Sequence, residues 1–221
     1  SDVYKRQVVD IVDPVARISG SGLPVSNGWR VNIGETISFN CDSSSDDYTE
    51  ISCAWTYDGT PYGQNNSILL SWNDIGTHDI GLIVSDSAGN TNSASTSVIV
   101  LDTTIPVLEQ SSLDGFVSSG IVGDEITFSV SATDSYDDIT NLRYHWDLQP
   151  NRDTDNNGNP RDDADLVGYQ TSISFNKVGR NEVVLTVFDQ SNNSDSHAFA
   201  VDIVAAPIQD GMGPIRWLIL F

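Results

Sequence analysis

The sequence predicts an all-β protein built as two tandem antiparallel β-sandwiches, and three observations carry that reading. The chain repeats itself: Gly34-Glu35-Thr36-Ile37-Ser38-Phe39 matches Gly123-Asp124-Glu125-Ile126-Thr127-Phe128, and Trp55 and Trp146 follow at comparable distances. Within each repeat the apolar period is two, the period of a strand with one buried face. Turn residues such as Asn27-Gly28, Asp58-Gly59, Ala88-Gly89-Asn90 and Gln190-Ser191-Asn192-Asn193 break these runs, and no long stretch carries helical spacing with caps.

The elements follow in order. Residues 1–7 read as translated sequencing-adapter sequence and are set aside. Residues 8–13 read as the last strand of a preceding repeat with its linker. The first sandwich is expected over 14–101. There Ile37, Phe39 and Cys41 alternate with Thr36, Ser38 and Asn40, the third strand carries Trp55, Trp72 opens Trp72-Asn73-Asp74-Ile75-Gly76, and Leu82 and Val84 share a face before Asp86. The second is expected over 102–204, with Trp146, Phe175-Asn176-Lys177-Val178-Gly179 and Val184-Leu185-Thr186-Val187-Phe188-Asp189 in matching places. The joints repeat too, as Asp10-Ile11-Val12-Asp13-Pro14 and Asp102-Thr103-Thr104-Ile105-Pro106. Each unit reads as about seven short strands, with Trp55, Trp146, Trp72 and Phe175 in the cores. Residues 205–221 read as a Gly/Pro-containing linker and then an apolar run, Trp217-Leu218-Ile219-Leu220-Phe221, for which two readings fit: the start of a membrane anchor continuing past Phe221, or an accidental apolar tail.

Ten Lys+Arg stand against 31 Asp+Glu in 221 residues, a formal charge of −21, which excludes a nucleic-acid partner. Five tryptophans, seven tyrosines and seven phenylalanines give the chain enough to bury, so it is not a disordered acidic tail. His78, His145 and His197 lie far from any Ser or Cys nucleophile motif, and HExxH, GxSxG and phosphate-loop patterns are missing. Catalysis is not expected.

Cys41 and Cys53 are the only cysteines, and strand parity turns both into the core that holds Phe39 and Trp55. A bridge between them closes a loop of about a dozen residues, worth about 3 kcal/mol in the chain-entropy model, and points to an oxidising compartment. The second repeat has Val130 and Tyr144 at these positions.

Several motifs resemble the PKD (polycystic kidney disease) domain family. They are Asp42-Ser43-Ser44-Ser45-Asp46, Cys53-Ala54-Trp55-Thr56-Tyr57-Asp58-Gly59, Ile75-Gly76 and Leu82-Ile83-Val84-Ser85-Asp86 in the first unit. In the second they are Ala132-Thr133-Asp134, Trp146-Asp147-Leu148, Val178-Gly179 and Leu185-Thr186-Val187-Phe188-Asp189. The resemblance covers roughly residues 14–204 and implies immunoglobulin-like sandwiches used as extracellular, non-catalytic spacers, adhesion units or accessory domains of surface proteins and secreted hydrolases.

The second unit carries an acidic insertion over 149–168 that the first lacks. In it Asp153, Asp155 and Asn157 alternate ahead of Gly158, a pattern that offers a hard cation side-chain oxygens around a tight turn. Asn159, Asp162, Asp163 and Asp165 extend the set, and Ca²⁺ is the expected cofactor. The loop departs from an EF-hand because Ala164 stands where the closing Glu belongs. The acidic turns Asp42/Asp46/Asp47 and Asp134/Asp137/Asp138 read chiefly as solvated turns, and Asp86 and Asp189 as turn-stabilising residues. Tyr57, Tyr62 and Tyr169, near loops, are candidates for sugar stacking, although a tyrosine beside a turn more often serves packing, and Asn65 and Asn192 begin N-x-S sequons. The expected role is a calcium-stiffened extracellular or cell-surface spacer partnered by neighbouring repeats. The alternative is an accessory module that holds a protein or polysaccharide for a hydrolase domain outside the segment.

Overall fold

The computed structural model describes residues 9–154, 156, 158–161 and 163–207. The adapter reading of 1–7, the anchor reading of 208–221, and Asp155, Asn157 and Asp162 lie outside these residues. The chain divides into two compact units between Thr103 and Thr104.

The first unit runs β1 (Ser19–Gly20), β2 (Leu23–Val25), β3 (Gly28–Asn32), β4 (Thr36–Asn40), β5 (Ile51–Tyr57), β6 (Thr60–Gly63), β7 (Ser67–Ser71), β8 (Gly76–Asp86) and β9 (Thr91–Leu101). One sheet has the order β2-β3-β9-β8-β5-β6 and the other β1-β4-β7. Among the described residues of this unit, only β3 and β9 pair in parallel. The second unit runs β10 (Val107–Leu108), α1 (Gln110–Leu113), β11 (Ser119–Ile121), β12 (Glu125–Ser129), β13 (Ala132–Thr133), a 3₁₀ turn (Ile139–Asn141), β14 (Arg143–Asp147), β15 (Leu166–Val167), β16 (Gln170–Ser174), β17 (Gly179–Phe188) and β18 (Ser194–Val204). Its larger sheet, β11-β18-β17-β14-β15, faces β12-β16 and β10-β13, with β11 parallel to β18. Both units are thus immunoglobulin-like sandwiches; they differ in that a strand β2 pairs on the outside of β3 only in the first, and that β10 pairs with β13 whereas β1 pairs with β4. Of residues 8–13, read from sequence as the last strand of a further repeat with its linker, the described ones, 9–13, carry no strand pairing.

Period-two patterning fills each core. Ile37 and Phe39 of β4 and Ile80, Leu82 and Val84 of β8 are buried around Trp55, with Trp72 at one side. In the second unit Phe128, Leu185 and Val187 enclose Trp146, and Phe175 takes the place of Trp72. Each central indole is also bonded: Trp55 Nε1 donates to the Asn65 carbonyl at 2.8 Å, and Trp146 Nε1 to the Gly168 carbonyl at 2.8 Å. Cys41 and Cys53 form a disulfide across the first core, with a Cα–Cα distance of 6.7 Å. Tyr57, expected at the surface, is instead half-buried. Its ring stacks on His78, its hydroxyl lies 2.7 Å from His78 Nδ1, and it accepts from Trp72 Nε1. The hairpin residues Asp58 and Gly59 both take positive φ, 46° and 76°, the conformation a two-residue primed turn needs. That turn sends the Asp58 carboxylate back to the Asp79 amide and to His78 Nδ1. No helix among the described residues is long and apolar enough to cross a membrane.

Two outcomes follow from this packing. Replacing both cysteines by serine should lower the urea unfolding free energy by about 3 kcal/mol, and an unchanged midpoint would mean the bridge constrains nothing. The amide of Asp79, and then His78, hold the Asp58 carboxyl below its ordinary range. Because the folded value lies below the unfolded one of about 3.9, the stability Asp58 contributes is present above that pH and is lost as pH falls through the folded value. Asp58→Asn should lower the neutral-pH melting temperature and flatten its fall below about pH 4, as followed by circular dichroism.

Candidate functional site

The carboxylates of greatest interest gather at the turn end of each unit. In the first, Asp86 closes β8 and is 8% exposed. Its Oδ1 accepts the amides of Ala88, Gly89 and Asn90, and its Oδ2 accepts Asn90 Nδ2. Burial pushes its carboxyl up, the hydrogen bonds from Asn90, Gly89 and Ala88 outweigh it, and the pKa ends below the ordinary value. Asp86 therefore does stabilise its turn, as its position in the sequence implies.

It also has company. Asp46 binds the amides of Tyr48 and Thr49 through Oδ2, and Asp10 binds the Val12 amide through Oδ1. One carboxylate oxygen of each of Asp10, Asp46 and Asp86 lies within 4.8 Å of the others. Asp10 Oδ2 and Asp46 Oδ1 are buried without a hydrogen-bond partner. The ion pairs seen among the described residues, His78–Asp58, Arg161–Glu182 and Arg180–Asp202, do not include them. Three converging carboxylates with two water-shielded oxygens lacking a hydrogen-bond partner are of the donor type a hard cation takes. Asp42 and Asp47, grouped with Asp46 in the sequence reading, are exposed.

The second unit repeats the plan. Asp189, fully buried at the end of β17, bonds Asn193 through its amide and its Nδ2. Asp137 accepts the Gln190 amide and places an oxygen within 4.8 Å of Asp189. Asp134 caps the amides of Tyr136 and Asp137, the turn Asp46 makes in the first unit, and likewise leaves one oxygen, Oδ2, buried and unpartnered. Asp138 is drawn off to cap Thr140. In sequence, Asp102 stands ahead of this unit where Asp10 stands ahead of the first.

The acidic insertion is only partly the site its sequence suggests. Asp153 Oδ2 accepts the Gly158 amide, Asp163 is buried and accepts the Thr154 amide, and Asp165 Oδ2 accepts the Leu148 amide. Asn159 is exposed and its Oδ1 accepts the Arg161 amide, a local turn bond. Gly158, at φ 92°, supplies the expected tight turn. The spacing missed Asp147, which follows the core tryptophan and is 2% exposed. Burial pushes its carboxyl up, and the charges of Asp165 and Asp163 add to the rise. An aspartate beside a core Trp was the available signal, just as the matching joints were for Asp10.

The remaining feature is an apolar cleft of ≈ 720 Å³ in the second unit, lined by Val130, Ile139, Leu142, Tyr144, Val167 and Tyr169. Ile139, Val167 and Tyr169 are 61%, 68% and 63% exposed. In the first unit the positions of Val130 and Tyr144 are taken by the disulfide. Of the histidines, His78 bonds a tyrosine and an aspartate, His145 packs on Phe188, and His197 stacks on Phe199.

No family model and no curated protein matches the chain. Among solved structures it is similar to the fibronectin(III)-like modules of Clostridium thermocellum CbhA, with 12% identity over 89% of this chain and 99% of that one and a TM-score of 0.38. It is similar to the PKD1 domain of the Vibrio cholerae metalloprotease PrtV, with 23% identity over 42% of this chain and 100% of that one and a TM-score of 0.32. Sidekick-1 immunoglobulin domains 1–4 give 14% identity over 87% and 50%, with a TM-score of 0.46. The sandwich assignment rests on the strand order described above, to which these likenesses add nothing.

Proposed function

We propose that this chain is a non-catalytic structural or adhesive module of an extracellular or cell-surface protein, stiffened by Ca²⁺ held at the carboxylate clusters of its turn ends. The convergence of Asp10, Asp46 and Asp86, with two buried oxygens left unpartnered, carries the reading. Asp10 belongs to the segment that enters the first sandwich, whereas Asp46 and Asp86 belong to the sandwich itself. An ion shared by the three ties the entering segment down. The recurrence of Asp134, Asp137 and Asp189 in the second unit supports a plan repeated along the chain. The Cys41–Cys53 bridge fits an oxidising compartment, and the −21 charge fits a soluble, self-repelling stalk.

The apolar cleft favours a second reading, the accessory module that holds a polysaccharide or protein ligand, with the exposed Tyr169 ring as its platform. Under that reading the chain is retarded in gels containing a soluble polysaccharide and Tyr169→Ala runs freely; equal mobility of the two across a polysaccharide panel removes polysaccharide as the ligand.

The calcium reading is tested by calorimetric titration and thermal melts in Ca²⁺ and in EGTA. Ligand at a hundredfold excess over Kd stabilises by about 2.7 kcal/mol, a rise of several degrees for domains of this size. Asp10→Asn with Asp46→Asn should remove one class of Ca²⁺ sites and its share of the rise. Coincident wild-type melts with and without Ca²⁺ would leave a plain spacer.

A further inference from the structure

The two sandwiches share a frame but differ at one place on it. The carbonyl that accepts each core indole fixes the alignment: Asn65 stands where Gly168 does, and the next carbonyl, of Asn66 or Tyr169, accepts the amide of Cys41 or Val130. Gln64, Asn65 and Asn66 of the first unit therefore correspond to Val167, Gly168 and Tyr169 of the second. In the first unit the three amide side chains border a hollow of ≈ 370 Å³ beside the disulfide. In the second the same place is the apolar cleft of ≈ 720 Å³, with Val167 and Tyr169 exposed along it. Apolar groups gathered on a concave surface where the sister repeat carries amides mark a place built for contact.

The polar groups around that cleft are already engaged. The Val130 amide is on the Tyr169 carbonyl, the Gly168 amide on the Tyr144 carbonyl, and the Gly168 carbonyl takes Trp146 Nε1. The Ser131 carbonyl accepts the Glu109 amide, β13 is paired with β10, and β15 covers β14 at His145 and Trp146. These pairings leave an extended peptide little backbone edge on which to add a strand. Among the side chains, Ser131 donates to Glu109 Oε2 and Thr140 to Asp138 Oδ1, while Arg143 Nη2 donates to the Asp189 carbonyl and to Asn192 Oδ1. A sugar, whose hydroxyls each need a partner, finds few here, whereas an apolar surface needs none. Charge narrows the class further. Among the described residues no carboxylate lines the cleft, so a cationic group would enter it without a counter-charge. An anionic one would approach a chain of net charge −21 whose lining arginine is already held.

We propose that the cleft of the second unit binds one small, uncharged, largely aliphatic molecule, seated on Val130, Leu142 and Tyr144 and flanked by Ile139, Val167 and Tyr169. The seat is formed in advance, since Val130, Leu142 and Tyr144 are buried in the core cluster. The flanking side chains are the exposed ones, and a bound apolar molecule removes their surface from water along with its own. The volume lies in the range of small-molecule pockets, about 300–1,000 Å³. The proposal rests on the cleft being a ligand site, as in the second reading above, and names an apolar compound in place of polysaccharide or protein. It shares no residue with the turn-end carboxylates and does not depend on them.

The test is a fluorescence titration of the whole chain with Nile red, an uncharged dye that brightens when it leaves water. The wild type is expected to bind one dye per chain and to release it to 1-decanol. Decanoate and decylammonium, each below its micellar concentration, should compete more weakly by about tenfold or more. Val167→Gln with Tyr169→Asn, which puts the residues of the first unit in these places, should abolish binding with little change in melting temperature. Ile139→Asp should also abolish it, by setting a charge beside the ligand, and is the deciding variant if the double one does not fold. Ile83→Asn, at an exposed apolar position of the first unit, should bind dye as the wild type does. No dye bound by the wild type, wild-type binding in both cleft variants, loss in Ile83→Asn, or equal displacement by the charged decyl compounds overturns the proposal. Retardation by a polysaccharide that Tyr169→Ala relieves, with no dye bound, overturns it and leaves the accessory-module reading standing.

Discussion

Each sandwich is organised around one tryptophan that is buried and hydrogen-bonded at once. An indole fills the widest gap between two sheets, but its N–H must find an acceptor there or pay the cost of a lost bond. Trp55 and Trp146 meet that demand identically, each donating to a carbonyl just before the strand that enters the facing sheet, at Asn65 and Gly168. The bond ties the third strand to the crossover. Around it the same amide pairings recur, Cys41 to the Asn66 carbonyl and Val130 to the Tyr169 carbonyl. A repeat that keeps this indole, its acceptor and the flanking apolar alternation keeps the fold, and little else needs to match.

What varies around that frame is how each unit closes its flank. The first unit places a covalent bridge at Cys41 and Cys53 and leaves the outer face of β8 open to water. The second has Val130 and Tyr144 instead, opens an apolar cleft beside them and covers the outer face of β17 with its insertion. The bridge constrains the unfolded chain and costs nothing in charge, whereas the insertion brings carboxylates to a face that would otherwise be merely half-buried.

The repeat, its strand period, the cysteine pairing and the core tryptophans were legible because each depends on local alternation and spacing, which a sequence displays directly. The carboxylate clusters were legible only in part. Asp46 and Asp86 are far apart in sequence and read separately as turn residues, which they are; their convergence with Asp10 arises from two sheets closing on one another. Asp147 fell outside a spacing argument centred on Asp153, because it belongs to the preceding strand and not to the loop. Asn159 fitted the spacing and yet turned to the Arg161 amide, since a short polar side chain in a turn finds its nearest donor first. Tyr57, which the sequence placed at the surface, is held by Trp72 and His78, partners that only the closed sandwich brings together.

The acid surplus of the chain is therefore not one property but three. Part of it is spent on donors at turns, where a hydrogen-bonded carboxylate stays ionised; Asp86, on three amides, and Asp138, on the Thr140 amide and hydroxyl, are of this kind. Part faces water and sets only net charge and solubility. The last part is carboxylates that turn one oxygen to backbone amides and bury the other without a hydrogen-bond partner: Asp10, Asp46, Asp134, Asp147 and Asp153. In a folded protein that third class is costly, and it occurs here at the turn ends of both units and beneath the insertion. A chain selected for solubility alone would leave such groups in water. Turned inward with one oxygen unpartnered, they stand apart from the acid residues that face water.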